Sequence, residues 1–162
     1  MIQRTLVLLK PDAIKRGLVG RILQRFEDAG LKIVAMKMQW IEKKHAEKHY
    51  EDLGKRRGEE IKKRMVDFLT LGPVIALVLE GIEAVEVVRK IVGGTEPKTA
   101  PPGTIRGDFA HLSIEYSNKK SKAVPNLIHA SDSVENAKKE IALWFNKKEI
   151  HDYKTIHEEF VF

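Results

Sequence analysis

Two short apolar runs, within residues 4–9 and 74–79, set the frame for what this chain can become. Each is too short for a buried helix. Pro11 closes the first and Gly72-Pro73 opens the second, so each reads as a buried strand bounded by residues that cannot extend it. Between them, residues 31–41 alternate. Ile33, Ala35, Lys37, Gln39 and Ile41 fall on one side, and Val34, Met36, Met38 and Trp40 on the other. That period predicts a half-buried strand with its apolar side inward. A fourth strand is expected over residues 123–128.

Helical signals fill the spaces. Residues 18–29 set Leu18, Ile22, Leu23 and Phe26 on one face and stop at Gly30. Residues 45–53 and 59–69 read as two short helices around Gly54 and Gly58. Residues 83–92 read as another, closed by Gly93-Gly94. A last helix runs to Phe145, with Val134, Ala137, Ile141 and Trp144 on its apolar face. Strands and helices in this order predict one sheet with helices packed mainly on one face, α+β or α/β. The alternating second strand favours an antiparallel sheet. With 162 residues, no repeat and no linker, a single domain over residues 1–162 is expected.

Three segments stand outside this pattern. Residues 94–107 have no period and are punctuated by prolines and glycines; long loops of this kind are usually functional. Residues 117–122 look like an exposed polar insertion. The tail, residues 147–162, shows no strong pattern and is expected to wrap the surface.

Composition narrows the chemistry. There is no cysteine, which excludes disulfides, thiolate catalysis and thiolate-bound zinc. The apolar run ending at Leu9 is too short to span a membrane, and no cleavage pattern follows it, so a cytoplasmic protein is expected. The net charge of +6 favours anionic partners. Much of it is mixed in sign along helices, as in the i,i+4 pairs Glu59–Lys63 and Glu60–Arg64, which is the pattern of a solvated face. Nucleotides fit better than nucleic acid.

The chemical focus is the segment Asn126-Leu-Ile-His-Ala-Ser-Asp-Ser133. It sets His129 ahead of a cluster of helix-capping residues, and Asp132 with Glu135 has the capping-box spacing. A helix start suits a phosphate, and an imidazole largely uncharged near neutral pH is a plausible nucleophile. Alone, such a histidine is more often a packing residue. No P-loop accompanies it, since Gly93-Gly94-Thr95 lacks the Gly-Lys-Ser/Thr ending, so side chains must hold any phosphate. Lys10, Arg89 and Arg106 are the candidates, Arg106 foremost because Gly103 and Gly107 flank it. His45 and His49 are spaced i,i+4 without the zincin order, so a metal site there is disfavoured. His111, His151 and His157 lack supporting context. Tyr50 alone reads as core.

Taken together, these residues resemble a known family. The resemblance runs through Leu9-Lys-Pro-Asp12, Arg16-Gly-Leu-Val-Gly20, His49-Tyr50 with Asp52-Leu53, Gly72-Pro73-Val74, Glu80-Gly81 and Gly93 with Thr95. It continues through Pro102-Gly-Thr-Ile-Arg-Gly-Asp108, Asn126 with Ile128-His129, Ser131-Asp-Ser133, and Lys139-Glu140 ahead of Leu143-Trp144-Phe145. In this order the motifs resemble nucleoside diphosphate kinase over nearly the whole chain. The resemblance implies a ferredoxin-like α+β sandwich with a four-stranded antiparallel sheet. It implies ping-pong transfer of a terminal phosphoryl group from a nucleoside triphosphate such as ATP to nucleoside diphosphates, with Mg²⁺ on the nucleotide phosphates rather than on protein side chains. His129 matches the phosphorylated histidine, Glu140 the glutamate that orients it, Tyr50 a tyrosine beside it and Ser131 a serine near that glutamate. Lys10, Arg89, Thr95 and Arg106 match the phosphate-holding groups, and Asn126 an asparagine that reaches the ribose. A homo-oligomer is implied too, a hexamer first and a tetramer second.

Two departures stand out. Ala130 replaces a glycine beside the histidine. Residues 54–60 are lengthened and carry no aromatic where the family stacks a phenylalanine on the base. The rival reading is a nucleotide- or nucleic-acid-binding regulatory domain of the same fold with catalysis lost; the complete set of His129, Lys10, Arg106 and Glu140 argues against it.

Overall fold

β1 (Ile2–Leu9) runs through the middle of the sheet because both of its sides are apolar: Leu6, Val7, Leu8 and Leu9 are all fully buried. The computed structural model describes residues 1–161. Its sheet has the order β2-β3-β1-β4, with β2 at Lys32–Gln39, β3 at Val74–Ile82 and β4 at Ile128–Ala130, and every neighbouring pair is antiparallel. This is the ferredoxin-like α+β sheet that the resemblance implied.

Strand alternation divides the core in two. Val7, Leu9, Ile75, Leu77 and Leu79 meet Ile22 and Phe26 of α2 (Val19–Asp28) and Val88 and Val92 of α6 (Ala84–Val92). Leu6, Leu8, Val74, Ala76 and Val78 meet a second group. That group holds Ala46 of α3 (Lys43–His49), Val66 and Leu69 of α5 (Glu59–Leu69) and Trp144 of α9 (Val134–Trp144). Helices therefore cover both faces, not mainly one as the element order suggested. Two inner strands apolar on both sides require that cover.

Several local expectations shift. Pro11 does not only end β1; it opens a short helix, α1 (Pro11–Lys15), at a first-turn position where its missing N–H costs nothing. The helix expected at 45–53 is two, α3 and α4 (Glu51–Arg57), which meet at Tyr50. The loop at 94–107 contains a 3-10 turn at Pro97–Thr99 and the start of α7 (Ile105–Phe109). Glu59 pairs with Lys62 rather than Lys63, while Glu60 pairs with Arg64 as expected. The polar segment at 117–122 is not a free insertion: α8 (Ile114–Lys119) is capped by Ser113 and buries Ser117.

The fourth strand is the most consequential shift. It spans residues 128–130, not 123–128, so His129 lies inside it rather than after it. Pro125 cannot donate to a ladder, and Leu127 takes a left-handed φ of 72°, which delays pairing until Ile128.

In β2 the register shifts between Ile33 and Ala35, so the residues beyond the irregularity change sides. Lys37 then lies over the ring of Phe145, and Met36, Met38 and Trp40 are 56%, 58% and 67% exposed. The apolar side expected to face inward is the outer one there. The tail follows the start of this edge strand: His151 donates its N–H to the Val34 carbonyl at 2.8 Å, and Lys32 bonds Glu158 at 2.9 Å. Phe162, the end of the expected wrapping tail, lies outside the described residues.

Candidate active site

The pairing of β4 with β1 sets Leu8 opposite His129. Side chains alternate, so His129 projects to the face covered by α3 and α9. α9 starts behind Ser133, whose hydroxyl oxygen accepts the Asn136 N–H at 3.1 Å. The cap is therefore Ser133, not Asp132; Asp132 accepts from the Asn136 side chain instead, at 2.6 Å. Glu140 falls two turns into α9 and reaches His129, with its carboxylate oxygens 3.0 and 3.1 Å from Nε2. Ser131, fully buried, donates its hydroxyl to the same carboxylate at 2.5 Å. Burial pushes the Glu140 carboxyl up, but the charge and hydrogen bond of His129, with His49 and Ser131 behind, hold it below the ordinary carboxylate range.

His129 opens on a cleft of about 630 Å³. The cleft gathers Lys10, Tyr50, Arg89, Thr95, Arg106, Asn126 and Glu140, so eight of the nine expected site residues, His129 among them, share one wall system. The ninth, Ser131, stands behind Glu140.

Lys10 caps the end of β1 and is only 3% exposed. It donates to the Asn126 side chain at 2.7 Å, and Asn126 donates in turn to the Thr95 carbonyl at 2.8 Å. Burial, then the nearby Arg106 charge, lower the Lys10 pKa to about 7 against a partial pull from Asp12. Arg106 donates to the carbonyls of Gly93 at 2.9 Å, Asn126 at 3.2 Å and Ile128 at 2.5 Å. Three of its five N–H groups thus buckle α6, the loop and β4 together, and two remain for an anion. Burial and the Arg89 charge lower its pKa to about 10. Gly107 lets α7 come this close, since a Cβ there would lie 2.0 Å from the Pro101 carbonyl oxygen.

Residues outside the expected set also take part. Asp12 accepts the Leu127 N–H at 2.9 Å and anchors the left-handed turn that feeds β4. His49, given no role by its spacing in the sequence, packs edge to face on His129 with ring centroids 4.6 Å apart. No local sequence signal marks this contact, because α3 and β4 are far apart in sequence and meet only on one face of the folded sheet. The tyrosine hydroxyl of Tyr50 is buried beside them, and its pKa is raised by burial, then by Glu140 and Asp12. Ile61 of α5, Ile114 of α8 and Lys122 line the outer cleft, so the segment between Asp108 and Asn126 forms part of its wall.

A histidine fixed by a carboxylate, with three cations lining the same cleft, is an arrangement for moving a phosphoryl group. Comparison with known proteins agrees. The family model described as nucleoside diphosphate kinase matches residues 3–150. A relative from Pyrococcus furiosus named nucleoside diphosphate kinase is 51% identical over 152 residues, covering 94% of this chain and 88% of that protein. The solved structure of a Borrelia burgdorferi nucleoside-diphosphate kinase, a transition-state mimic with vanadate and ADP, superposes with a TM-score of 0.96. It is 45% identical and covers 99% of this chain and 96% of its own. A Halobacterium salinarum nucleoside diphosphate kinase in complex with CDP gives 0.86 at 36% identity, covering 100% and 99%.

The buried Lys10 predicts a pH signature. Below pH 7 it is charged in folded and unfolded chains alike, and the folded state bears the whole cost of burying it. Between about 7 and the ordinary 10.5 the unfolded chain holds the extra proton, so this cost falls as pH rises. Lys10→Met should therefore gain most in stability, relative to the native chain, near pH 6, and this gain should shrink by pH 10.5. Urea midpoints of both chains at the two pH values measure it; a constant gap would show that Lys10 is not a penalised cation.

Proposed function

We propose how this site works from one premise: the chain belongs to the nucleoside diphosphate kinase family. It is an enzyme that moves the terminal phosphoryl group of a nucleoside triphosphate to a nucleoside diphosphate. We assign the transfer to a ping-pong cycle through His129. The observation that carries this is the Glu140 carboxylate at 3.0 Å from His129 Nε2, on the wall of a cleft that also holds Lys10, Arg89 and Arg106.

Glu140 keeps the ring proton on Nε2 and leaves the Nδ1 lone pair to attack. As the Nδ1–P bond forms, the bond from phosphorus to the bridging oxygen breaks and its electrons leave on the nucleoside diphosphate. The imidazole gains positive charge, which the Glu140 carboxylate offsets. Lys10, Arg106 and Arg89 offset the charge shifting onto the phosphate oxygens, with Thr95 beside them. Tyr50 borders the histidine. The second nucleoside diphosphate reverses the step. Asn126 holds Lys10 and is the residue we assign to the ribose through its remaining amide hydrogen.

Mg²⁺ fits on the nucleotide rather than on the chain. It takes oxygen ligands, and the three-donor cluster found among the described residues, His49, His129 and Glu140, is mostly nitrogen. When bound to the phosphates it screens their charge and fixes their geometry. No helix of the described residues is long and apolar enough to cross a membrane, and we place the activity in the cytoplasm, among the nucleotides it exchanges.

Three measurements test these assignments. Incubation with γ-labelled ATP should give a chain-bound label stable to alkali and lost in acid, and His129→Ala should abolish it with the fold intact. Label persisting on that variant sinks the assignment.

We assign the base to the apolar side chains of Ile61 and Ile114, in place of a stacking aromatic, and the phosphates to the buried Lys10 and Arg106. Affinities for ADP, GDP, CDP and UDP should therefore lie within about tenfold of one another, since base stacking is worth only about 1–3 kcal/mol where an aromatic is present. A strong preference for one base that survives high salt would refute this.

Met36 and Met38 are exposed on the edge strand β2, and Trp40 is exposed just past its end. We assign this edge to a second copy of the chain, as the first contact of a homo-oligomer, a hexamer or a tetramer. Met38→Glu should lower the mass found by light scattering; an unchanged mass removes β2 from the interface.

A further inference from the structure

His49 stands against the nucleophile with a polar atom that nothing pairs. Its Nδ1 accepts the indole N–H of Trp144 at 3.2 Å. Its Nε2 is buried without a hydrogen-bond partner among the described residues. A donor at Nδ1 settles the tautomer: Nδ1 must offer its lone pair, so the proton of the neutral ring sits on Nε2. One ring nitrogen of His49 lies with a nitrogen of His129 and an oxygen of Glu140, all within 4.8 Å of one another.

Such a trio resembles a metal site, but the Trp144 indole takes that reading away. An imidazole that coordinates through Nε2 must carry its proton on Nδ1, where the indole N–H already points. What His49 offers is a hydrogen-bond donor.

A buried donor without an acceptor costs stability, and a phenylalanine would give His129 the same edge-to-face wall with no such cost. We infer that His49 is a positioning residue for the transfer, its Nε2–H held for the Glu140 carboxylate and steadying it as the charge on His129 changes. This rests on His129 as the phosphorylated residue. The 4.8 Å bound between a His49 ring nitrogen and the carboxylate oxygen leaves about 2 Å or less to hydrogen-bond length, within reach of side-chain rotation. Burial, with the His129 charge next, lowers the His49 pKa to about 3, so the ring meets Glu140 as a neutral donor and never as a rival cation. The charged and titratable groups around it are His129 from β4, Glu140 from α9, Lys10 from the end of β1 and His45 from its own helix. Tyr50, next in the chain, packs against it as well.

The test separates donor from wall. Gln places an N–H near the position of Nε2, Phe keeps the aromatic wall without a donor, and each is compared with the native enzyme in single-turnover phosphorylation by ATP. His49→Phe should slow phosphohistidine formation by about tenfold or more, the scale of a lost hydrogen bond to a charged group, with nucleotide affinity within about twofold. His49→Gln should recover most of the rate. With the donor gone, Glu140 keeps more of its charge for the imidazolium, so the acid limb of the pH–rate profile in His49→Phe should move to higher pH. Native rate and pH profile in His49→Phe, or equal loss in Phe and Gln, would overturn the inference. Should either variant fail to fold, ¹⁵N spectra of the native enzyme decide: His49 must show an Nε2–H tautomer, and an Nδ1–H tautomer ends the argument. A native chain that forms no phosphohistidine at His129 would instead remove the reading on which this one rests.

Discussion

The pairing of three residues, Ile128–Ala130, against the end of β1 is the contact on which the rest of the site depends. A slip of one residue would turn His129 to the opposite face, away from Glu140 and His49. So short a strand cannot hold its own register by ladder bonds alone. It is held from both sides. Leu127 adopts a left-handed backbone at a cost of about 1–3 kcal/mol for a non-glycine residue. Asp12 takes its N–H and the Lys10 N–H takes its carbonyl, at 2.9 and 2.8 Å. On the far side, Ser131 returns its own N–H to the Leu6 carbonyl at 3.1 Å. Arg106 then bonds the Asn126 and Ile128 carbonyls. Backbone strain and buried charge are thus both spent on fixing one imidazole.

The electrostatics follow the same logic. Lys10 and Arg106 are nearly buried, and after burial itself the largest charge effect on each comes from another cation, Arg106 on Lys10 and Arg89 on Arg106. Asp12 compensates only in part, and its own carboxyl is raised by burial first. On the proposed function, an incoming phosphate relieves a cation set this way, so part of the binding energy is held as unfavourable burial. The outer cleft differs, with Ile61 and Ile114 on its wall and exposed basic residues such as Arg56 and Arg57 around it. On the same proposal, discrimination concentrates on the phosphates and relaxes at the base.

Much of this was legible in the sequence, and the failures share a cause. The strands at Leu6–Leu9 and Val74–Leu79 announced themselves because a continuous apolar run between breakers has few other solutions. The Asn126–Ser133 segment and the lysine ahead of Pro11 carried motif order as well as chemistry. What stayed hidden was non-local. The alternation in residues 31–41 was real, but the irregularity at Val34 and the tail lying along β2 decided which side faced out. Strand β4 began late because of Pro125 and Leu127, whose effects depend on Asp12, over a hundred residues away. His49 stood in a family motif beside Tyr50, and its i,i+4 spacing with His45 disfavoured a metal, but neither showed its contact with His129.

The position of His49 also explains why the second face of the sheet is covered at all. A ferredoxin-like sheet with helices on one side would leave the His129 side open to water. There, Glu140 would be screened and the imidazole free to rotate. α9 and the α3–α5 segment close that side: Trp144 fills the core while its indole fixes the His49 tautomer, and Glu140 lies one helical turn before Trp144 on the same helix. One element therefore sets both neighbours of His129. Packing of Trp144 and orientation of His129 are coupled through α9, so a core substitution there acts on the chemistry without touching the cleft.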